Sequence, residues 1–317
     1  MQSYPKVERA GVTDERQTFP LLGLRRGIGV FGRERGSTHR GNGYEMASSR
    51  PYQPSDNMRA IDWGASARLS SARNSDEFIV REHFAEESPR VVVFVDRRPA
   101  MRLYPPELPW LHKPAAVAAA GKMIVDSAIA AQGLVGYLDF ADARAPRWLP
   151  PRRQLDAARI RDHELPRTAW TAPEDNLALG FRHFVHARGD LPRGTFVFVL
   201  SDFLEPPPAA VWRMAAGLDW DVVPVIVQDP RWEQSFPDVG GLVLPLTTPD
   251  GASRPVRLTR SEAAERRRAN EDRLRTLLDG LGRLDIDPVL LSSHEPLDIL
   301  AAFLHWHERR HLRLRRR

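Results

Sequence analysis

The amino-acid sequence predicts an α/β fold built on a doubly wound, mainly parallel sheet. From Val91 onward, short apolar runs alternate with segments of helical periodicity, which is the pattern of parallel strands joined by crossover helices. Two of these apolar runs end in an acidic residue, at Asp96 and at Asp202, and open parallel sheets place their ligands at this end of the strands. Residues 1–49 differ, since they are rich in Gly, Arg and Ser with only short apolar runs, and they predict an irregular, partly β segment.

The predicted strands are short apolar runs bounded by turn residues. They lie at residues 91–95, 134–140, 145–149, 195–200, 222–227 and 288–291. The segment 229–259 holds several Pro and Gly residues around two extended runs, 242–246 and 255–258. That composition predicts a small hairpin rather than another crossover.

The predicted helices are the segments with helical spacing of apolar residues. They lie at residues 115–131, 152–163, 177–188, 209–217, 262–281 and 297–306. Ser261 precedes the longest of them and is its predicted N-cap. Together these elements predict a wrapping segment at residues 1–85, an α/β domain at residues 86–308 and a basic tail at residues 309–317.

Composition narrows the class of protein. The 317 residues include no cysteine, which excludes a disulfide framework, a thiolate metal site and a cysteine nucleophile. No apolar run approaches the roughly 20 residues that span a bilayer, and residues 1–10 lack the apolar core of a signal peptide. We therefore expect a soluble, cytoplasmic protein without a membrane span.

The net charge is a weak indicator of function. The chain has 46 Lys and Arg residues against 41 Asp and Glu residues, for a formal net charge of +5. The exception is the tail, which carries Arg309, Arg310, His311, Arg313, Arg315, Arg316 and Arg317. Such a tail either meets an acidic partner, phosphate or anionic lipid, or is a solvated, frayed helix end. We favour the helix end and do not expect nucleic acid as a partner.

The acids at the strand ends raise the question of a metal site. Two carboxylates facing one crevice suit magnesium, which takes oxygen ligands. However, the positions two and four residues after Asp96 carry Arg98 and Ala100, which offer no hydroxyl oxygen. Arginine brings a fixed positive charge that repels a cation and can pair with two carboxylates. We therefore predict that Arg98 takes the place of a metal and bridges Asp96, Asp202 and Asp175.

Two alternatives remain for this crevice. In the first, Arg97 and Arg98 both point to solvent, and the acids cap the neighbouring helices. In the second, Asp96 and Asp202 still hold a metal ion.

The sequence lacks the common catalytic motifs. Ser201 precedes Asp202 without a Gly-x-Ser-x-Gly pattern, and Arg98 stands where Asp-x-Asp phosphotransferases have their second acid. The glycines at residues 27–32 have no preceding long strand and no following helix, so they do not predict a dinucleotide site. We expect neither an enzyme nor a cofactor.

Residues 50–68 are dense in aromatic, charged and turn-forming side chains. Residues 54–57 predict a turn, in which Asp56 can bind backbone amides. Arg59 and Asp62 lie three residues apart and can pair, while Tyr52 and Trp63 supply large apolar surfaces. We interpret this block as a structural clamp, with a docking surface as the alternative.

The same block resembles the hallmark of the bacterial DUF58 proteins, whose motif runs Tyr, Pro-Gly-Asp, Arg, Ile-Asp-Trp and Ala-Arg. The matching residues here are Tyr52, Asp56, Arg59, Asp62, Trp63 and Arg68. The resemblance continues through residues 78–82 and the strand before Asp96 to residues 201–204 and 227–230. DUF58 proteins resemble von Willebrand factor A domains and are often encoded beside MoxR-type AAA+ ATPases. The resemblance implies a von Willebrand A (Rossmann-like) fold and an adaptor role beside such an ATPase in assembly or remodelling of a client.

The chain also departs from the family pattern. Members that keep the metal-ion-dependent adhesion site have Asp-x-Ser-x-Ser where this chain has residues 96–100, Asp-Arg-Arg-Pro-Ala. The threonine of the second site element falls at Asp175, and Ser55 replaces the usual glycine before Asp56. The resemblance therefore implies a degenerate metal site that serves for partner binding. Its residues are Asp96, Arg97, Arg98, Asp175, Ser201 and Asp202.

Other functions remain open at this point. One is a magnesium-dependent adaptor of the same type, in which Asp96, Asp175 and Asp202 hold the ion. Another is a phosphate or nucleic-acid binder that uses its arginines, or an unrecognised hydrolase at the Asp96 crevice. Nothing in the sequence identifies the client protein.

Overall fold

A computed structural model describes residues 17–23, 46–51, 61–73, 78–83, 88–103, 111–142, 145–241, 243–247 and 253–316. The chain divides into two units. The smaller unit is Gly27–Glu87, and the larger consists of Met1–Arg26 together with Ser88–Arg317. The division after residue 87 lies close to the predicted boundary at residue 85, but the first 26 residues belong to the larger unit.

The described residues of the smaller unit form a two-stranded antiparallel sheet and one helix. Strand β1 (Met46–Pro51) pairs with β2 (Ile79–His83), and helix α1 (Trp63–Arg73) lies between them in the chain. A carboxylate oxygen of Asp62 accepts a hydrogen bond from the amide of Ala65 at 3.1 Å, so Asp62 caps the start of α1. The hydroxyl of Ser66 accepts a hydrogen bond from the amide of Ile79 at 2.8 Å and ties the helix to β2.

The hallmark block is only partly within the described residues. Tyr52, Asp56 and Arg59 lie outside them, and so does the predicted turn at residues 54–57. Of the others, Asp62 caps the helix, while Arg68 is exposed on it. Trp63 is 60% exposed, and its ring meets Phe78 edge-to-face at 5.8 Å.

The larger unit is built on a six-stranded sheet. The strands of this unit are β3 (Arg90–Val95), β4 (Leu134–Asp142), β5 (Ala145–Leu149), β6 (Phe196–Ser201), β7 (Asp221–Val227), β8 (Val243–Thr247), β9 (Ser253–Arg257) and β10 (Val289–Leu291). All of them belong to the six-stranded sheet except β8 and β9, which form a separate antiparallel hairpin. The strand order is β10-β7-β6-β3-β4-β5, and all neighbours are parallel except β5, which runs antiparallel at the edge. The sheet is therefore doubly wound and mainly parallel, as predicted.

Helices cover both faces of this sheet. They are α2 (Lys113–Ala130), α3 (Leu155–Arg159), α4 (Asn176–His186), α5 (Ala209–Gly217), α6 (Arg260–Gly282) and α7 (Pro296–Arg316); a π-helical turn, Ile160–Glu164, follows α3. Val93 points into the core that contains Ile124 of α2 and Phe303 of α7, while Phe94 points into the core that contains Phe181 of α4. Because successive side chains of a strand face opposite sides, burial on both faces explains why the strands are apolar throughout.

Two expectations about helix ends are wrong. The N-cap of α6 is Thr259 and not Ser261: the Thr259 hydroxyl accepts a hydrogen bond from the amide of Glu262, whose carboxylate accepts one from the Thr259 amide. This reciprocal capping box needs a Glu three residues after the cap, which Thr259 has. At the other end of the chain, α7 continues to Arg316, so residues 309–316 are helical and not a frayed tail.

The C-terminal helix is held by buried arginine contacts. Arg310 is fully buried and forms two hydrogen bonds to the Asp221 carboxylate, at 2.7 and 2.8 Å, while its guanidinium lies 4.1 Å over the Trp306 ring. Arg309 binds Asp287 at 3.0 Å. These pairs explain why the basic end stays helical.

An N-terminal segment, residues 17–23, packs on the same unit. The Phe19 ring stacks on Phe303 with 4.3 Å between centroids, and its amide donates to the Ser127 hydroxyl at 3.0 Å. Arg310 donates to the carbonyl of Leu22 at 3.1 Å. Among the described helices, none is long and apolar enough to cross a membrane.

Candidate functional site

The strand order reverses between β3 and β6, and the residues after these two strands face each other. The amide of Asp96 donates to the carbonyl of Leu200 at 2.9 Å, which brings the two strand ends into register. Asp96, Ser201 and Asp202 are all fully buried. In open α/β sheets this switch point is where ligands bind, so the candidate site is located here.

Arg98 lies between the two carboxylates. Its Nη2 donates to Oδ2 of Asp96 at 2.7 Å and to Oδ1 of Asp202 at 3.1 Å, and its Nε donates to both oxygens of Asp96 at 3.0 and 3.1 Å. The residue is 4% exposed. Burial alone would lower the pKa of Arg98, but the charges of Asp96 and Asp202 outweigh it and raise the pKa. The guanidinium therefore stays charged and bridges the two strand ends.

Every lone-pair direction of Asp96 is occupied from within the protein. Besides the Arg98 side chain, its carboxylate accepts hydrogen bonds from the Arg98 amide at 3.0 Å, from the Asn176 side chain at 2.8 Å and from the Ser201 hydroxyl at 2.6 Å. A carboxylate offers about four acceptor directions. Asp96 is therefore a saturated structural anion.

A second cation, Lys113, completes the cluster. Its Nζ lies 3.2 Å from Oδ2 of Asp202 and also binds Glu233. Lys113 is 2% exposed, and burial alone would lower its pKa, but the charges of Asp202 and Glu233 outweigh burial and raise it. The two acids thus hold Lys113 in its charged form. We call Asp96, Arg98, Lys113, Asp202 and Glu233 the ionic cluster.

The backbone around Asp202 is held by side chains from other strands and loops. The Gln228 amide group donates to the Asp202 carbonyl at 2.6 Å, and the Asp202 amide points at the Met101 sulfur at 3.1 Å. Phe203 follows with φ of 48°, a left-handed conformation that costs a non-glycine residue about 1–3 kcal/mol. Its amide donates to the Ser201 hydroxyl at 3.1 Å, which supports this conformation.

Arg97 does not belong to the crevice. It is 1% exposed, and its guanidinium donates to the carbonyls of Glu164, Leu165 and Arg167. A cation at a helix C-terminus satisfies the last carbonyls and the helix dipole. Arg97 also lies 3.5 Å from Asp139 and 4.8 Å over the Trp170 ring. The alternative in which Arg97 and Arg98 both point to solvent is wrong, and Arg97 is a structural residue.

Asp175 is also not part of the cluster. Its side chain is 49% exposed and lies 3.5 Å from Arg182, which follows about two helical turns later on the surface of α4. The next residue, Asn176, is fully buried and reaches Asp96 instead. Asn176 and not Asp175 therefore contacts Asp96, and the predicted bridge from Arg98 to Asp175 is wrong.

The donor set does not fit a divalent cation. Magnesium needs free oxygen ligands, but both oxygens of Asp96 and both of Asp202 already accept hydrogen bonds from cationic or amide groups. Arg98 occupies the position between them. Among the residues that the structure describes, there is also no group of three or more His, Cys, Asp or Glu residues that could hold a metal ion.

Three members of this site were missed from the sequence: Lys113, Asn176 and Glu233. Lys113 opens helix α2 and lies 89 residues from its partner Asp202 in sequence. A lysine at a helix start resembles an ordinary solvated residue, so no local signal indicated it. Asn176 could have been found, since an amide at the start of a helix beside a strand-end acid is a suitable donor.

The fold and the ionic cluster define an α/β protein whose sheet switch point is closed by internal salt bridges. The chain belongs to the DUF58 family: a family model described as "Protein of unknown function DUF58" matches residues 48–275. A solved chain, the conserved hypothetical protein BatB from Bacteroides thetaiotaomicron, aligns with 69% of this chain and 99% of its own length, at 17% identity and a TM-score of 0.38. No curated protein matches the chain.

Proposed function

We propose that this protein is a non-enzymatic adaptor with a von Willebrand A-like domain, in which an arginine replaces the metal of the adhesion site. In this proposal it works with a MoxR-type AAA+ ATPase in the assembly or remodelling of a client protein or complex. The observation that carries the proposal is the position of Arg98, whose Nη2 lies 2.7 Å from Asp96 and 3.1 Å from Asp202.

A non-enzymatic role is supported by the state of the buried polar groups. A general base needs an unoccupied lone pair within reach of its substrate, whereas Asp96 accepts hydrogen bonds from Arg98, Asn176 and Ser201. The Ser201 hydroxyl is buried and donates to Asp96, and Lys113 is held charged by Asp202. A charged, buried amine is a poor nucleophile. The cluster therefore suits a rigid recognition surface better than a reaction.

The partner is proposed from the family. DUF58 proteins are often encoded beside MoxR-type AAA+ ATPases, and the doubly wound sheet with acids at the switch point is compatible with the expected von Willebrand A type. The phosphate or nucleic-acid alternative has less support, since Arg309 and Arg310 of the basic end bind Asp287 and Asp221 within the protein.

Co-purification with a MoxR-type AAA+ ATPase from the same organism tests the proposal. We expect association in at least one of three states, with ATP, with ADP or without nucleotide. Arg98→Lys keeps the charge but loses the bidentate geometry, so it should weaken association. Arg182→Lys is the matched control, because Arg182 is a half-exposed arginine of α4 outside the cluster. Absence of association in all three states would contradict the adaptor role.

A further inference from the structure

One edge of the Arg98 guanidinium is not used by the ionic cluster. A guanidinium has five N–H donors, and those on Nε and Nη2 bind Asp96 and Asp202. Nη1 forms no hydrogen bond with any described residue. Its contact is with the carboxylate of Glu205, at 3.7 Å, which is an ion-pair distance but too long for a hydrogen bond.

This free edge faces the surface. The Glu205 side chain is 75% exposed, whereas the Arg98 side chain is 5% exposed. Some buried polar atoms of the described residues have no hydrogen-bond partner, but Nη1 is not one of them. Since Nη1 also has no hydrogen-bond partner in the described part of the chain, it must keep some contact with solvent. Arg98 thus presents two N–H groups at the rim while buried acids fix the rest of the guanidinium. A cation held in this way loses little conformational entropy when it binds a ligand.

The loop after β6 carries Glu205 to this position. Phe203 adopts the left-handed conformation, and the Leu204 amide donates to Oδ1 of Asp202 at 3.2 Å. Pro206, Pro207 and Pro208 follow Glu205 and lead directly into α5. Strain at a buried residue beside a ligand crevice is a common feature of functional sites. The loop thus holds an exposed carboxylate over Arg98 without forming a hydrogen bond.

We infer that Nη1 of Arg98 is a docking point for an aspartate or glutamate side chain of the partner protein, and that Glu205 occupies this point in the free protein. The inference rests on the proposed adaptor function and names the chemistry of the partner's contact. The N–H groups of Nη1 suit a carboxylate, because a carboxylate accepts charge-assisted hydrogen bonds from a guanidinium. When a carboxylate of the partner takes the place of the Glu205 carboxylate beside Nη1, the charge next to Arg98 also stays the same.

Other ligand classes fit this edge less well. A phosphate monoester carries nearly two negative charges at neutral pH, whereas Nη1 of Arg98 already lies beside Glu205 and Nη2 binds Asp96 and Asp202. A basic side chain of the partner would bind Glu205 itself. The carboxylate and basic-side-chain possibilities predict opposite effects of removing the Glu205 charge.

The experiment measures the affinity of the MoxR-type AAA+ ATPase from the same organism for Glu205→Gln. Because an exposed ion pair is weak, removing this internal competitor should tighten binding by about two- to fivefold. Glu174→Gln is the matched control, since Glu174 is an exposed acid two residues before Asn176 and the charge change is the same; it should leave binding unchanged. Unchanged or weakened binding by Glu205→Gln would overturn the inference.

A second measurement does not need the partner. Sodium acetate is titrated against the full-length protein at constant ionic strength, with sodium chloride as the reference salt, and the Arg98 Nε–H resonance is followed by NMR. Arg98→Lys assigns the resonance. A saturable, acetate-specific shift that is tighter in Glu205→Gln supports the docking point, even if the ATPase does not bind. No saturable shift in either protein overturns it, even if the ATPase binds.

Discussion

Nη2 of Arg98 lies 3.1 Å from Oδ1 of Asp202, and this contact joins residues that follow two neighbouring strands, β3 and β6. The same nitrogen binds Asp96 at 2.7 Å. One fixed cation therefore neutralises acids from both sides of the point where the strand order reverses. The stability and binding properties of the protein should depend on this arrangement.

Replacing Arg98 and Ala100 by serines, which offer hydroxyl ligands, should lower the unfolding free energy of the protein. The double variant Arg98→Ser with Ala100→Ser leaves Asp96 without its buried cation, and loss of one partner from a buried ion pair costs about 3–5 kcal/mol. Unfolding by urea should show this loss, and magnesium chloride should restore part of it in the variant but not in the parent.

Arg182→Ser is the control for this experiment, because Arg182 is half-exposed on α4. If the double variant is as stable as the parent without metal and does not respond to magnesium, Arg98 is not the cation of the crevice.

Asn176 and its neighbour Asp175 should respond differently to alanine. Asn176→Ala removes a buried hydrogen bond of 2.8 Å to Asp96 and should cost about 1–3 kcal/mol of unfolding free energy. Asp175→Ala removes only a surface contact of 3.5 Å and should change stability by about 0.5 kcal/mol or less. Equal losses of stability in urea denaturation would show that Asn176 does not form the buried hydrogen bond with Asp96.

Arg310 should be one of the most sensitive positions of the C-terminal helix. Arg310→Ala leaves Asp221 buried without its bidentate partner and should cost about 3–5 kcal/mol. Arg313→Ala removes a partly exposed pair with Asp285 and should cost about 0.5 kcal/mol or less. A double-mutant cycle with Asp221→Ala measures the coupling, and additive losses would show that the pair is not formed.

Glu164 should make stability depend on pH under acidic conditions. Burial alone would raise its pKa, but the hydrogen bond and charge of Arg147, with the charges of Arg159 and Arg167, lower the pKa below its ordinary value of 4.5. The folded state therefore keeps Glu164 ionised at pH values where the unfolded state takes up a proton. This stabilisation is complete above pH 4.5 and is lost as the pH falls through the lower pKa of the folded state.

Unfolding free energies of the parent and Glu164→Gln at pH 6 and at more acidic pH measure this effect. We expect the parent to lose more stability than Glu164→Gln on acidification, because the variant has no carboxyl group to protonate at this position. A larger loss in the variant would reverse the sign of the proposed linkage.

The sheet and much of the site were accessible from the sequence because their signals are local. Apolar runs predicted the strands, and an acid directly after a strand predicted the position of Asp96 and Asp202. The charge and length of arginine then suggested that Arg98 could bridge them. Each of these inferences depends on residues adjacent in the chain.

The remaining site residues depend on contacts distant in sequence. Lys113 reaches Asp202 across 89 positions, and Glu233 reaches Lys113 across 120. Arg97 and Arg98 are adjacent and identical in chemistry, and only the fold decides that one binds the end of the π-helical turn and the other binds Asp96. Arg310 resembled part of a solvated tail because its partner, Asp221, starts a strand 89 residues earlier.

Calorimetric titration of the protein with manganese or magnesium chloride is the most direct test of the central claim that Arg98 occupies the cation position. With Arg98 in place, we predict no saturable binding at the crevice, and therefore the same titration for the parent and for Asp96→Asn. Saturable binding at millimolar concentration or tighter that Asp96→Asn abolishes would contradict the claim, because it would require the carboxylate of Asp96 to be free for a metal.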